Sequence, residues 1–480
     1  MLFNTAQFAL FLLLLLALLR ALPRRSWNGV LLGASLLFYT LWIPAYLPLL
    51  LIDIAVNYAL LRGMLAAEPG STRRQVWLAA SILFSLSLLL YFKYAAFLVE
   101  TALPLASFAL EQELPLPDVF LPLGISFYTF QIISLAVDLY PGDGPDERHP
   151  VDGLARYALY IAFFPQLIAG PILRGREFLP QLERGPQPDA SRNRRGAWLI
   201  ASGVVKKVVF ADFLLAPFVE SVFQEPGVGN ASFHWVALYA FSFQVYFDFS
   251  GYTDIARGVA LLIGYELPEN FHEPFLARSP QEFWQRWHIT LTRWLRLYLF
   301  LKIARGLVRR GGAAAYSWAG PAAQLTTMAV CGLWHGAGWN FVLWGVLQGV
   351  LLATWRFRAP AEGSRLHWRD VPQMFLFYQL FCLTLVFFRT PDLATAAAYF
   401  DAMFLGNAKS GFPWLETGVV ALCFASHLAE RVLRERAREW QGFFASRPFG
   451  LYLEAAIFGV IFGVAVLMAG TGGEFIYFQF

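Results

Sequence analysis

The stretch Gly332-Leu333-Trp334-His335-Gly336-Ala337-Gly338-Trp339-Asn340 decides how this chain is read, because it sets one histidine inside a run with no Asp, Glu, Lys or Arg from Gly311 to Trp355. A run of that length holds two membrane crossings at ~20 residues each. A titratable imidazole there is costly unless it is hydrogen-bonded or used. The glycines around it let backbone or ligand approach closely. An isolated buried histidine is usually structural, so the surroundings have to shift the odds.

Outward from this stretch, the composition is that of a membrane protein. Hydrophobic residues make up 58% of the 480 positions and charged residues 15%, against ~25% charged in soluble domains. Apolar runs recur from Phe8–Leu19 to Gly450–Ala469 and predict an all-α, polytopic bundle of about ten to thirteen spanning or re-entrant helices. Met1–Gln7 has no basic residue, while Arg20, Arg24 and Arg25 follow the first apolar run. The first helix is therefore expected to stay in the membrane rather than be cleaved. The net charge of +4 sits mostly in loops, as the positive-inside rule expects, and gives no sign of nucleic acid. Cys331, Cys382 and Cys423 lie singly in apolar runs and read as packing residues, with no metal site.

Several further stretches carry polar groups. Asp53 and Asn57 share a helical face and predict a hydrogen-bonded seam between helices. Leu121–Gln131 and Phe164–Pro171 each interrupt an apolar run with proline and glycine, the style of a kink or of a helix bent around a cavity. Lys93 stands between two apolar stretches, at either a tight turn or the middle of one long helix. Pro104–Asp118, Arg174–Arg195, Arg356–Arg369 and Asp392–Ser410 read as loops, and Lys206 and Lys207 as lysines snorkelling from an apolar run. Phe247-Asp248-Phe249-Ser250-Gly251-Tyr252-Thr253-Asp254 is either a helix end and restart near Thr253 or a polar wall, with Asp248, Tyr252 and Asp254 lining a tunnel. The chain end at Gly473–Phe480 is apolar enough to dock.

A second histidine lies 47 positions before the first. Phe283–Arg296 is helix-like, with Trp284, Trp287, His288, Leu291, Leu295 and Tyr298 at the spacing of one face, so His288 should point with the aromatics. From Arg286 to Arg310 there are seven basic residues and no acidic one. Anchoring at the cytoplasmic surface is the default reading; the sharper one gives Arg296, Lys302 and Arg305 to the phosphates of an anionic donor. His149, His272 and His367 fall in polar loops, His234 begins an apolar run, and His427 adjoins a charged helix around Arg431–Arg438 that reads as a solvated surface. His288 and His335 remain, with Trp287, Trp334 and Asn340 as neighbours suited to a substrate path. A neutral imidazole can take a hydroxyl proton during attack on an activated acyl group.

At these residues the chain resembles the membrane-bound O-acyltransferase family, in the branch of the alginate O-acetylase membrane subunit and with the teichoic-acid D-alanyl transfer protein as a relative. The matching pieces are Leu121–Phe130, Phe163–Pro171, Phe247–Gly264, Pro268–Leu295, Gly332–Gly345 and Phe475–Phe480. The resemblance implies a single integral-membrane domain over 1–480, with a catalytic core at 119–388 and C-terminal helices at 389–480, built around a transmembrane tunnel. It implies His335 as the essential histidine and His288 as the second catalytic position. The donor it implies is acetyl-CoA or another acyl thioester, with no bound cofactor. The setting it implies is the bacterial inner membrane, beside a periplasmic esterase-like acetyltransferase and polysaccharide-synthesis machinery, for O-acetylation of an exopolysaccharide such as alginate. One departure is Leu297 in Trp294-Leu295-Arg296-Leu297-Tyr298, where the branch usually has an acidic residue. The competing expectations are a transporter with Asp53, Asp248, Asp254 and the histidines as its polar path, acyl transfer to another envelope polymer, or a scaffold.

Overall fold

The computed structural model describes residues 3, 5–106, 121–141, 153–168, 170–226, 230–355, 367–406, 411–436 and 448–468. His149, the expected loop beyond residue 106, most of the Arg356–Arg369 loop and the chain end at Gly473–Phe480 lie outside them. The described residues are helical, with no β-strand among them. Among the described residues, three helices are long and apolar enough to cross a membrane, Pro44–Leu65, Thr72–Thr101 and Trp368–Arg389. Five shorter apolar helices accompany them, Ala6–Ala21, Ile125–Leu139, Trp339–Trp355, Leu393–Leu405 and Tyr452–Val464.

Two compact units emerge, one of residues 1–197 and 256–268, the other of 198–255 and 269–480. In the first, Lys93 sits on a π-helical turn, Leu90–Tyr94, inside one continuous helix from Thr72 to Thr101. The expected Asp53–Asn57 seam is present: Asn57 Nδ2 donates to Asp53 Oδ1 at 2.6 Å and to Ser85 at 3.0 Å, and Ser81 donates to Asn57 Oδ1 at 2.6 Å. Gly124 starts the Ile125–Leu139 helix at φ +70°, a left-handed conformation that glycine adopts without penalty, and a Cβ there would overlap the Leu167 carbonyl. Arg174–Arg195 is not a loop. It holds the Gly175–Arg184 helix and the start of Ala190–Val204, since Phe178, Leu179 and Leu182 supply one buried face. Asp392–Ser410 likewise contains the Leu393–Leu405 helix, with Asp392 accepting from the Thr395 N–H at 2.7 Å as N-cap.

In the second unit, the helices Ala319–His335 and Trp339–Trp355 form a hairpin whose backbones touch. A Cβ on Gly332 would overlap the Phe341 carbonyl oxygen, and one on Gly345 the Met328 carbonyl oxygen. Small residues permit this approach where lipid offers no hydrophobic drive for helix pairing. Gly345→Leu should therefore destabilise the solubilised protein by about 1–3 kcal/mol by overpacking. Gly320→Ala, facing open space, should leave thermal unfolding in detergent unchanged.

The Phe247–Asp254 stretch does not end a helix. One helix runs unbroken from Ala231 to Ile263, and Gly251 marks a close crossing. A Cβ on Gly251 would fall 2.7 Å from the Gly203 oxygen and 2.9 Å from the Lys207 nitrogen. The crossing presses Lys206 and Lys207, neighbours on the π-helical segment Val205–Leu215, against the long helix. Neither lysine snorkels. Lys206 pairs with Asp254 at 2.9 Å and Glu430 at 2.6 Å; Lys207 pairs with Asp212 and Asp248, both at 2.9 Å.

Candidate active site

His335 ends the Ala319–His335 helix, where Gly336 turns to an extended backbone and donates to the Gly332 carbonyl at 3.3 Å. The imidazole is 4% exposed. Its ring meets Trp344 edge-on with centroids 5.2 Å apart, Phe388 at 5.3 Å and Trp334 at 5.0 Å. Asn340 secures this arrangement from the next helix: its Nδ2 donates to the carbonyls of Phe387 at 3.2 Å and Thr390 at 2.8 Å, joining the hairpin to the end of the Val371–Arg389 helix. The structure thus gives Asn340 a tethering role.

His288 does not ride on a continuous helix. The chain breaks there into Pro280–Arg286 and Ile289–Leu295, with Trp287 extended and His288 at φ +42°. Such a backbone is unusual for a non-glycine residue, and Asn270 stabilises it. The Asn270 carbonyl accepts from the Ile289 N–H at 3.0 Å, while its Oδ1 accepts from the Thr290 N–H at 3.1 Å and the Thr290 hydroxyl at 2.9 Å. The preceding helix is held by Ser279, which accepts from the Glu282 N–H at 3.1 Å, and by Glu282, which receives Arg278 Nε at 3.0 Å and Arg286 at 2.7 Å. Burial works against the charge on Glu282, but the hydrogen bonds from Arg278 outweigh it and hold the carboxyl below its usual range.

The His288 imidazole is fully buried, edge-on to Phe249 at 4.7 Å and 6.2 Å from the Trp334 ring. Trp334 therefore neighbours both histidines. Trp287 turns into an aromatic core, stacked on Phe283 at 5.5 Å and edge-on to Phe271 at 5.2 Å. Tyr252 is buried within the long helix. Asp248 and Asp254 are taken up by the lysine pairs described above.

A cavity of about 520 Å³ opens beside this region, lined by Gln281, Trp284, Thr292, Arg293, Arg296 and Thr327 among others. Its Trp284 ring is 6.2 Å from Trp344, which in turn touches His335. Gln281 Oε1, Trp284 Nε1 and Thr327 Oγ1 have no hydrogen-bond partner among the described residues. Of the three cations expected to meet a donor, only Arg296 lines this cavity; Arg305 borders a separate shallow one, and Lys302 is exposed on the same helix as Arg305. Arg293, Gln281 and Thr327 are additions that helical spacing alone did not single out.

The other histidines separate cleanly. His234 has both ring nitrogens bonded, 3.0 Å from the Asn230 and Pro226 carbonyls, a structural role. His427 does not adjoin a solvated surface. It is fully buried, accepts from the Phe275 N–H at 3.3 Å and lies edge-on to Tyr246 at 4.8 Å. Its helix turns Glu430 and Arg434 inward too: Glu430 accepts from the Tyr246 hydroxyl at 2.7 Å, and Arg434 pairs with Glu269 and with Glu273 at 2.8 Å.

The chain belongs to the membrane-bound O-acyltransferase family, whose model matches residues 146–383. It is an acyltransferase and a membrane protein of all-α fold. It is 37% identical over 402 residues to a probable alginate O-acetylase, AlgI, of Azotobacter vinelandii, covering 82% of this chain and 76% of the relative. To a peptidoglycan O-acetyltransferase of Helicobacter pylori it is 34% identical over 397 residues, 77% of this chain and 72% of that one. A teichoic acid D-alanyltransferase of Streptococcus thermophilus is 30% identical over 234 residues, 48% of this chain and 55% of that protein.

Proposed function

We propose that this acyltransferase moves an acetyl group from acetyl-CoA or a similar cytoplasmic thioester toward an exopolysaccharide such as alginate, across the bacterial inner membrane that it spans several times. The observation that supports this most is that His288 and His335 both neighbour the Trp334 ring, next to a cavity carrying Arg293 and Arg296. An imidazole in its neutral form has one nitrogen free to accept a proton. His335 accepts the proton of the acceptor hydroxyl while its oxygen attacks the thioester carbonyl. The tetrahedral intermediate collapses, the carbon–sulfur bond breaks, and the leaving thiolate takes the proton back from the imidazolium. Trp334 and Trp287 keep water from the acyl group, and the two arginines meet the donor's phosphates. A tunnel open to the periplasm brings the acceptor hydroxyl to the thioester, and the ester formed passes to a periplasmic esterase-like partner working with the polysaccharide machinery. The names of the alginate and peptidoglycan relatives favour acetyl over D-alanyl transfer.

The test is acetyl analysis of exopolysaccharide from a deletion strain, joined to acetyl-CoA consumption by the purified protein in vesicles. Polymer acetylation should vanish on deletion and return with the wild-type gene. Arg293→Ala and Arg296→Ala should each raise KM for acetyl-CoA about 10-fold, the worth of a lost charged hydrogen bond. Unchanged polymer acetylation in the deletion strain, or no consumption of the thioester, counts against the reading.

A further inference from the structure

The hydrogen bonds around Asn270 fix more than a turn. Its Oδ1 faces the backbone N–H of Thr290 at 3.1 Å, a group that can only donate. The atom there must therefore be the amide oxygen and not the amide nitrogen. The same Oδ1 lies 3.2 Å from His288 Nδ1, so Nδ1 must be the protonated nitrogen of the neutral ring. Nε2 is then left with its lone pair, and it has no hydrogen-bond partner among the described residues. His288 and Asn270 are both fully buried, and the aromatic contacts on the imidazole come from Phe249, Phe271 and Trp334.

We propose that Asn270 is a positioning residue for the acyl-transfer reaction: it locks His288 in the Nδ1–H tautomer, on a left-handed backbone, so that Nε2 is presented as a proton acceptor beside Trp334. The role rests on the reading under Proposed function that His288 and His335 together form the reacting pair, with His288 as the second proton acceptor beside His335. An orienting partner of this kind sets which ring nitrogen is the base. Asn270 does this without a carboxylate, so no buried negative charge accompanies the imidazole.

The experiment combines spectroscopy with turnover. In 15N-histidine-labelled protein reconstituted in bilayers, with the signal assigned by its loss in His288→Ala, His288 should show a protonated Nδ1 and a bare Nε2. The opposite tautomer, or a mixture, overturns the proposal whatever the activity. Asn270→Ala should mix the tautomers and lower kcat for acetyl-CoA turnover by about 10- to 100-fold per folded molecule, with KM little changed. Asn270→Asp, which keeps an acceptor for Nδ1–H and for Thr290, should recover most of that loss. A merely structural asparagine predicts less folded protein with unaltered tautomer and kcat, and that result refutes the assignment. Where Asn270→Ala does not fold, the wild-type spectrum and the aspartate variant still decide. Full turnover by His288→Ala with the expected wild-type tautomer removes the functional reading, and with it the role of Asn270 in turnover. That outcome is distinct from a wrong tautomer.

Discussion

His335→Ala is expected to reduce acyl transfer by about 100- to 10,000-fold, the range in which a positioned general base contributes, while leaving the amount of folded protein near that of wild type. The ring is held by aromatic edges from Trp334, Trp344 and Phe388, so truncation opens a cavity at the hairpin's end. The tethers survive, because Asn340 still reaches the Phe387 and Thr390 carbonyls and the glycine contacts of the hairpin are untouched. Measured as polymer acetyl content in the complemented deletion strain, the variant should match the empty vector. His335→Gln is a sharper version: it restores bulk and hydrogen bonding but cannot accept and return a proton at neutral pH. If the glutamine variant turns over at wild-type rate, His335 is a packing residue and the reaction needs another base. A transporter makes the opposite prediction, flux without thioester consumption. Two of the carboxylates its polar path requires, Asp248 and Asp254, are already held by lysines.

His335 was legible as a candidate because the run around it, without Asp, Glu, Lys or Arg, holds a single histidine, and local glycines mark a close approach. His288 was legible as a candidate for a different reason, its spacing with Trp284, Trp287 and Leu291 on one aromatic face, yet its conformation was not. Trp284, Trp287, His288 and Leu291 satisfy helical spacing locally, so periodicity reads straight through the break. The break is made by Asn270, 18 residues upstream, through hydrogen bonds that no window over Phe283–Arg296 contains. The same limit hid the polar core of the second unit. Alternating Arg and Glu near His427 resemble a solvated face, but the partner of Glu430 is Lys206, 224 residues away. The Phe247–Asp254 stretch misled in the reverse direction. A Ser-Gly step between carboxylates looks like a helix break when its partners are unseen, whereas Gly251 is there to admit the Gly203 backbone.

That crossing carries the second large effect. Lys207, Asp212 and Asp248 have side chains only 2%, 5% and 4% exposed, so solvent screens the triad weakly. Lys207→Met preserves the shape of the stem but strands two buried carboxylates. Leaving a buried charge without its partner costs about 3–5 kcal/mol, enough to lower the thermal midpoint and the folded yield in detergent strongly. The loss should be rescued from the other side. Adding Asp212→Asn and Asp248→Asn to Lys207→Met removes the stranded charge and should restore most of the stability, since neutral replacement of a whole buried ion group is often tolerated. If the triple variant also regains wild-type kcat per folded molecule, Asp248 belongs to the scaffold that presents the long helix to the site. If stability returns while turnover does not, Asp248 has a part in the substrate path that its ion pair conceals, and the sequence reading of a polar wall at Phe247–Asp254 stands for that residue.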